Sequence, residues 1–249
     1  MQAIREKINE LLGNRVLAGM TVVVTDRKGI ICTENFGVAS VELPHVPVSE
    51  HSLYRIASIT KVVTGLTIMK LVEKGVLDLD TPVKNDLPWL TLKNEEAART
   101  VTLRHLLSHT SGLDAEYTPE GARDESALLE SLQRGLPTAE ILSLPSENKY
   151  LYSNWGIRLA SCLAEAKTGE RFSELARKYV IEPLGMTSTT FDIRDAITYH
   201  VSLPHVVDGE GEAFGGSSYE GKLCKTGSGR TLFECHRPCK TCQTASQRR

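Results

Sequence analysis

This sequence predicts an α+β fold: an antiparallel hairpin near the N-terminus, followed by a mostly helical stretch. Three observations carry that expectation. The β-branched runs AGMTVVVTD (18–26) and IICTENFGV (30–38) are separated only by Arg27-Lys28-Gly29, which is hairpin spacing. Beyond them, apolar residues recur at helical intervals. Strands and helices do not alternate, which argues against a doubly wound parallel sheet.

The elements follow in order. Gln2 to Leu12 reads as a helix, with Ile4, Ile8, Leu11 and Leu12 on one side and Gly13 as its stop. The hairpin comes next. Ser58 then opens a helix running to about Lys74 and stopped by Gly75, and Pro82 and Pro88 punctuate a loop region. VTLRHLLSHTSGL (101–113) is a short helix ending at Ser111-Gly112. Further helices are expected over 125–134 and 138–143. NWGIRLASCLAEAKTG (154–169) is amphipathic and ends in Gly169, and RFSELARKYVIEPLGM (171–186) is another helix, broken at Pro183. There is no internal repeat.

Composition narrows the function. The 249 residues are 41% hydrophobic and 24% charged, as in an ordinary soluble enzyme. They suffice for one large domain or two small ones, with roughly 70–75% of the unfolded surface buried on folding. A net charge of −2 gives no reason to expect nucleic acid or an anionic membrane as partner. MQAIREKINELLGN mixes charges into a helical pattern without the apolar core of a secretory signal. No apolar stretch approaches the ~20 residues that span a bilayer. The expected location is cytoplasmic. The charge is uneven: residues 221–249 hold seven Lys or Arg and one acid, leaving 22 basic and 30 acidic residues, a net of −8, in 1–220.

The chemistry starts in YRIASITKVVTG (54–65). Lys61 is the only charge from Ile56 to Met69, in a run containing Ile59, Val62, Val63, Leu66, Ile68 and Met69. Positions three apart share a helix face, so Ser58 Oγ and Lys61 Nζ should meet. Burial among those apolar residues would favour a neutral amine, which beside a serine is a base for a nucleophile. Amides at the same helix start would stabilise an anion on a substrate carbonyl. The spacing alone is weak, since Ser146 and Lys149 repeat it in PSENKY, a polar segment read as a solvated loop. A second element is Tyr152-Ser153-Asn154. Residues two apart in an extended segment point to one side, so a phenol and an amide could serve one site. The plainer reading is an amphipathic Tyr at a helix entry with Asn154 as N-cap.

Taken together, YRIASITK, GVLDLDTPV, VTLRHLLSHTSGL, YSNWG and YVIEPLGMTSTTF occur in the order of the serine β-lactamase-like superfamily. The chain resembles its class C β-lactamases, related penicillin-binding proteins and esterases of that fold, from about residue 2 to 207. The resemblance implies a β-lactamase/transpeptidase-like antiparallel sheet with a helical domain. It implies Ser58 as the acylated nucleophile, Lys61 as its base partner, Tyr152 assisting proton transfer to the leaving group, and Asn154 contacting substrate. His109 in SHTSG is expected to shape the loop after its helix. A Ser-His-Asp site is not supported, since no G-x-S-x-G elbow exists. No metal or organic cofactor is needed.

The chain also departs from that family. The family's third motif, Lys/His-Thr/Ser-Gly on a core strand, could be Lys225-Thr226-Gly227, but SSYEGKLC before it is not a core strand. The three later strands that complete the family's five-stranded sheet are not recognisable. A bare two-stranded hairpin is marginal and leaves open edges. The expected organisation is therefore a hydrolase domain over 1–210, incomplete at its C-terminal side, and a basic, Cys-rich tail over 211–249, disordered or foreign. Cys224, Cys235, Cys239 and Cys242 could form a four-thiolate zinc site, but their spacing is poor. GSSYEGKL nearly matches a phosphate loop but has Leu223 where Ser or Thr is required. Cys32 and Cys162 read as core residues. The expected function is a serine hydrolase acting through an acyl-enzyme on a β-lactam, a small ester or a D-amino-acid peptide. The alternative is a non-catalytic relic or binding module.

Overall fold

The computed structural model describes residues 2–14, 17–115, 127–207, 213–215 and 233–234. Two compact units form. The described residues of Met1–Ile56, Ile181–Glu220 and Leu232–Arg249 make the first, and those of Ala57–Val180 the second.

The first unit opens with α1 (Gln2–Gly13), which buries Ile8. Strands β1 (Gly19–Asp26) and β2 (Gly29–Gly37) pair antiparallel from Gly19↔Gly37 to Asp26↔Gly29, with an irregularity between Val24 and Thr25. Asp26 Oδ1 closes the turn by accepting from the amides of Lys28 and Gly29 at 2.7 and 3.1 Å. Arg5 ties α1 to β2 through two hydrogen bonds to Glu34. Among the described residues the hairpin pairs with no third strand, and no residue of either strand is buried. Cys32, expected in the core, is accordingly only half-buried.

Three short pairings complete this unit. β3 (Ser52–Arg55) runs parallel to β4 (His200–Val201), β5 (His205–Val207) is antiparallel to β6 (Ala213–Gly215), and β7 (Phe233–Glu234) lies antiparallel on the other edge of β3. β6 and β7 belong to the segment read as foreign, and backbone pairing joins each to an upstream strand.

The second unit is helical: α2 (Thr60–Glu73), α3 (Glu95–Thr100), α4 (Leu103–Leu107), α5 (Ala127–Gly135), α6 (Asn154–Thr168) and α7 (Phe172–Ala176). α6 is its axis and touches α2, α4, α5 and α7. Ten consecutive residues, Trp155 to Ala164, are buried. Ile68 and Leu71 of α2, Leu103 and Leu106 of α4, Leu132 of α5 and Leu175 of α7 join Leu159 in the fully buried core. Each such side chain contributes about 1.5–3 kcal/mol by leaving water. The close approach of α5 requires Gly135, because a Cβ there would lie 2.0 Å from the Trp155 ring. α6 ends where Gly169 adopts φ 70°, the left-handed stop that glycine adopts without penalty. Burial pushes the Cys162 thiol up to about 12, so it is an inert core group.

Two helical expectations are corrected. Residues 138–143 are not a helix: Ile141 bridges Leu113, and Leu142 N donates to Gly112 O at 2.8 Å. The segment lies between Pro137 and Pro145, too short for a stable helix, and the 112–114 backbone satisfies its polar groups instead. The 171–186 helix keeps α-geometry only to Ala176, then widens into a π turn over Arg177–Ile181, before Pro183.

Candidate active site

Ser58 lies in a 3₁₀ turn, Ala57–Ile59, leading directly into α2. The residue before it, Ala57, has φ 44°, a left-handed backbone that costs an L-residue about 1–2 kcal/mol. No sequence signal marks that strain. The cap position of α2 is Ile59, which offers no side-chain hydrogen bond. The Ser58 hydroxyl is used elsewhere. Lys61 Nζ donates to Ser58 Oγ at 3.2 Å, and Tyr152 Oη lies 2.8 Å from the same oxygen. Lys61 Nζ is also 4.9 Å from the centroid of the Tyr152 ring.

The geometry brings Ser58, Lys61 and Tyr152 together as expected, but one premise is corrected. Lys61 is not enclosed by apolar side chains. It is half-buried, and Ile59, Val62, Leu66 and Met69 are exposed, while Val63 and Ile68 are buried. The reason is that α2 turns Thr64 and Thr67 inward together with Val63, Ile68 and Leu71. Thr64 and Thr67 hydroxyls donate to the carbonyls of Thr60 and Val63 at 3.2 and 2.8 Å. That back-bonding satisfies buried hydroxyls within the helix itself.

The acid–base balance falls on Tyr152. Partial burial opposes its ionisation, but hydrogen bonding to Lys61 and Ser58 and the Lys61 charge outweigh this and lower its pKa. With Lys61 donating to Ser58 Oγ, the serine proton is free to point at the phenol oxygen.

Asn154 is the first residue of α6. The cap is Ser153, whose Oγ accepts from Gly156 N at 3.2 Å, which corrects the reading of Asn154 as N-cap. Asn154 Nδ2 donates to Ala115 O at 3.2 Å. Ser146 and Lys149 face solvent, and Lys149 pairs with Glu147. Lys225-Thr226-Gly227, the phosphate-loop look-alike and Cys224, Cys235, Cys239 and Cys242 lie outside the described residues. Among the described residues, no three His, Cys, Asp or Glu side chains gather as metal ligands, and no helix is long and apolar enough to cross a membrane.

His109 does more than its motif announced. It has φ 59°, and its carbonyl accepts from Leu151 N at 2.7 Å. Its Nδ1 accepts from Ser153 N at 3.1 Å. Its ring centroid is 4.8 Å from that of Tyr152.

Comparison with known proteins follows the same lines. Residues 4–212 match the sequence profile of the Beta-lactamase family. Penicillin-binding protein 4 of Amycolatopsis lactamdurans is 29% identical over 161 residues, covering 65% of this chain and 42% of that protein. Among solved structures, an octameric penicillin-binding protein homologue from Pyrococcus abyssi superposes with a TM-score of 0.79 at 25% identity, over 94% of this chain and 53% of that one. EstCE1, a hydrolase with promiscuous acyltransferase activity, superposes at 0.73 with 21% identity, over 94% of this chain and 68% of that one, and so shares the fold. The chain thus spans less than half of the length of the curated relatives it matches.

Proposed function

The chain belongs to the Beta-lactamase family, and on that premise we propose that it is a serine hydrolase working through an acyl-enzyme. The observation that carries this reading is a single oxygen, Ser58 Oγ, held between the Lys61 ammonium and the Tyr152 phenol.

Ser58 Oγ attacks the substrate carbonyl carbon while its proton passes to the Tyr152 phenolate. The carbonyl electron pair moves to oxygen, and the first amides of α2 face that developing charge. Collapse restores the carbonyl and breaks the bond to the leaving group, which takes the proton from Tyr152. Water gives a proton to the same phenolate and attacks the acyl carbon, and collapse breaks the bond to Ser58 Oγ, which takes the proton back from Tyr152. Lys61, hydrogen-bonded to Ser58 Oγ and lying over the Tyr152 ring, is the partner that supports proton transfer from the serine oxygen. Asn154 offers its amide to the substrate at the start of α6. The substrate class is a β-lactam, a small ester or a D-amino-acid peptide. The relatives' descriptions as penicillin-binding proteins and a hydrolase support that range.

The test is covalent labelling with a fluorescent penicillin and a fluorophosphonate. The folded wild type should label with at least one of them, and Ser58→Ala with neither. The labelling rate should rise with pH along a limb centred below 10, because the lowered Tyr152 pKa supplies phenolate earlier than a free phenol does. Tyr152→Phe should abolish that limb and slow labelling by on the order of 10²–10⁴-fold. A folded wild type that neither probe labels would support the relic instead.

A further inference from the structure

Tyr152 is more exposed than a rigid catalytic group usually is, with 37% of its surface open. It stands in an extended segment just before α6. Its side chain nonetheless sits within hydrogen-bonding distance of Ser58, a residue 94 positions away. What holds it there is concentrated in one residue from another loop.

That residue is His109, at the turn after α4. Its carbonyl takes the amide of Leu151 and its Nδ1 takes the amide of Ser153. The two bonds bracket Tyr152, one on each side along the chain. The imidazole also lies against the phenol ring, with centroids 4.8 Å apart and planes inclined by 32°. The Tyr150 ring meets the other part of the imidazole edge-on at 5.8 Å. An Nδ1 that accepts a backbone N–H carries no proton, so the ring is neutral with its hydrogen on Nε2. Burial first, and the Lys61 charge second, disfavour its protonation, in keeping with that tautomer. With its left-handed backbone, His109 presents its carbonyl and its ring to the same extended segment. Histidine is among the residues enriched in that conformation.

We propose that His109 is a positioning residue for Tyr152, clamping the amides on both sides of it and backing its ring so that the phenol oxygen meets Ser58. The proposal rests on the acyl-transfer reading above, yet it concerns where Tyr152 is held. It can therefore be tested without turnover.

Two variants keep the left-handed backbone. His109→Asn also keeps a side-chain acceptor near the Nδ1 position but has no ring. His109→Gly keeps only the carbonyl bond to Leu151. The first measurement is ultraviolet titration of Tyr152, isolated by difference from Tyr152→Phe. The second is the rate of labelling at Ser58. In both variants the Tyr152 step should move up towards that of an ordinary phenol. Labelling should slow by on the order of 10–10²-fold, as expected when a reacting group is displaced by about 1 Å, and more in His109→Gly. Folded variants whose Tyr152 titration matches wild type would overturn the proposal, even if their melting temperature fell. If wild type does not label at all, the acyl-enzyme reading fails, and the titration alone decides the role of His109.

Discussion

α6 buries every residue from Trp155 to Ala164, whereas α2 buries three threonines beside Val63, Ile68 and Leu71 and shows a second aliphatic stripe to water. Ile59, Val62, Leu66 and Met69 are 64%, 62%, 47% and 46% exposed, while Thr60, Thr64 and Thr67 are buried. The two helices also begin differently. Ser153 caps α6 through Gly156 N. Ser58, standing just before α2, caps nothing and faces Lys61 and Tyr152. One serine stabilises a helix start, and the other leaves its helix uncapped and keeps its hydroxyl for chemistry. The difference teaches that neighbours decide what a helix buries. α6 is surrounded by four others. α2 carries the reactive groups at its margin, with the residue before its nucleophile in a strained backbone.

The sharpest way to break this comparison is a core deletion. Leu159→Ala removes a fully buried side chain of α6 and should cost about 2–5 kcal/mol, read as a lowered urea midpoint at unchanged slope. A loss below about 1 kcal/mol would deny α6 its place at the centre. The smaller effect is at the cap. Ser153→Ala should cost about 0.5–2 kcal/mol. The Ser153 amide still reaches His109, so labelling of the folded variant should change little. A large fall in labelling with full stability would mean that the hydroxyl acts in the site.

What the sequence made legible follows from distance along the chain. Ser58 and Lys61 are one turn apart, so helical spacing alone brings them together. The hairpin and the stops at Gly75 and Gly169 are equally local. Tyr152 reaches Ser58 across 94 positions, and only the ordered set of motifs pointed to that meeting. The His109 clamp joins residues 42 and 44 positions away through two backbone amides, which leave no mark in residue type. The apolar letters around Lys61 misled, because periodicity gives a helix's faces but not which one turns inward. The inward face carries Val63, Ile68 and Leu71 together with Thr64 and Thr67, whose hydroxyls are satisfied on the helix's own carbonyls. The segment 138–143 misled for a related reason, since its backbone found partners in 112–114 rather than in itself.

The smallest expected effect is the most diagnostic for α2. Leu66→Gln changes a half-exposed residue in the middle of the outward stripe, where little contact is lost and a polar group meets water. Stability should stay within about 0.5 kcal/mol of wild type. The stripe runs along one face at three- and four-residue spacing, and contiguous exposed apolar surface promotes association. The substitution should therefore lower self-association, measured by sedimentation at increasing concentration. A loss of more than about 2 kcal/mol would instead show that Leu66 is covered in solution. α2 would then be a buried helix like α6, and the contrast between the two would vanish.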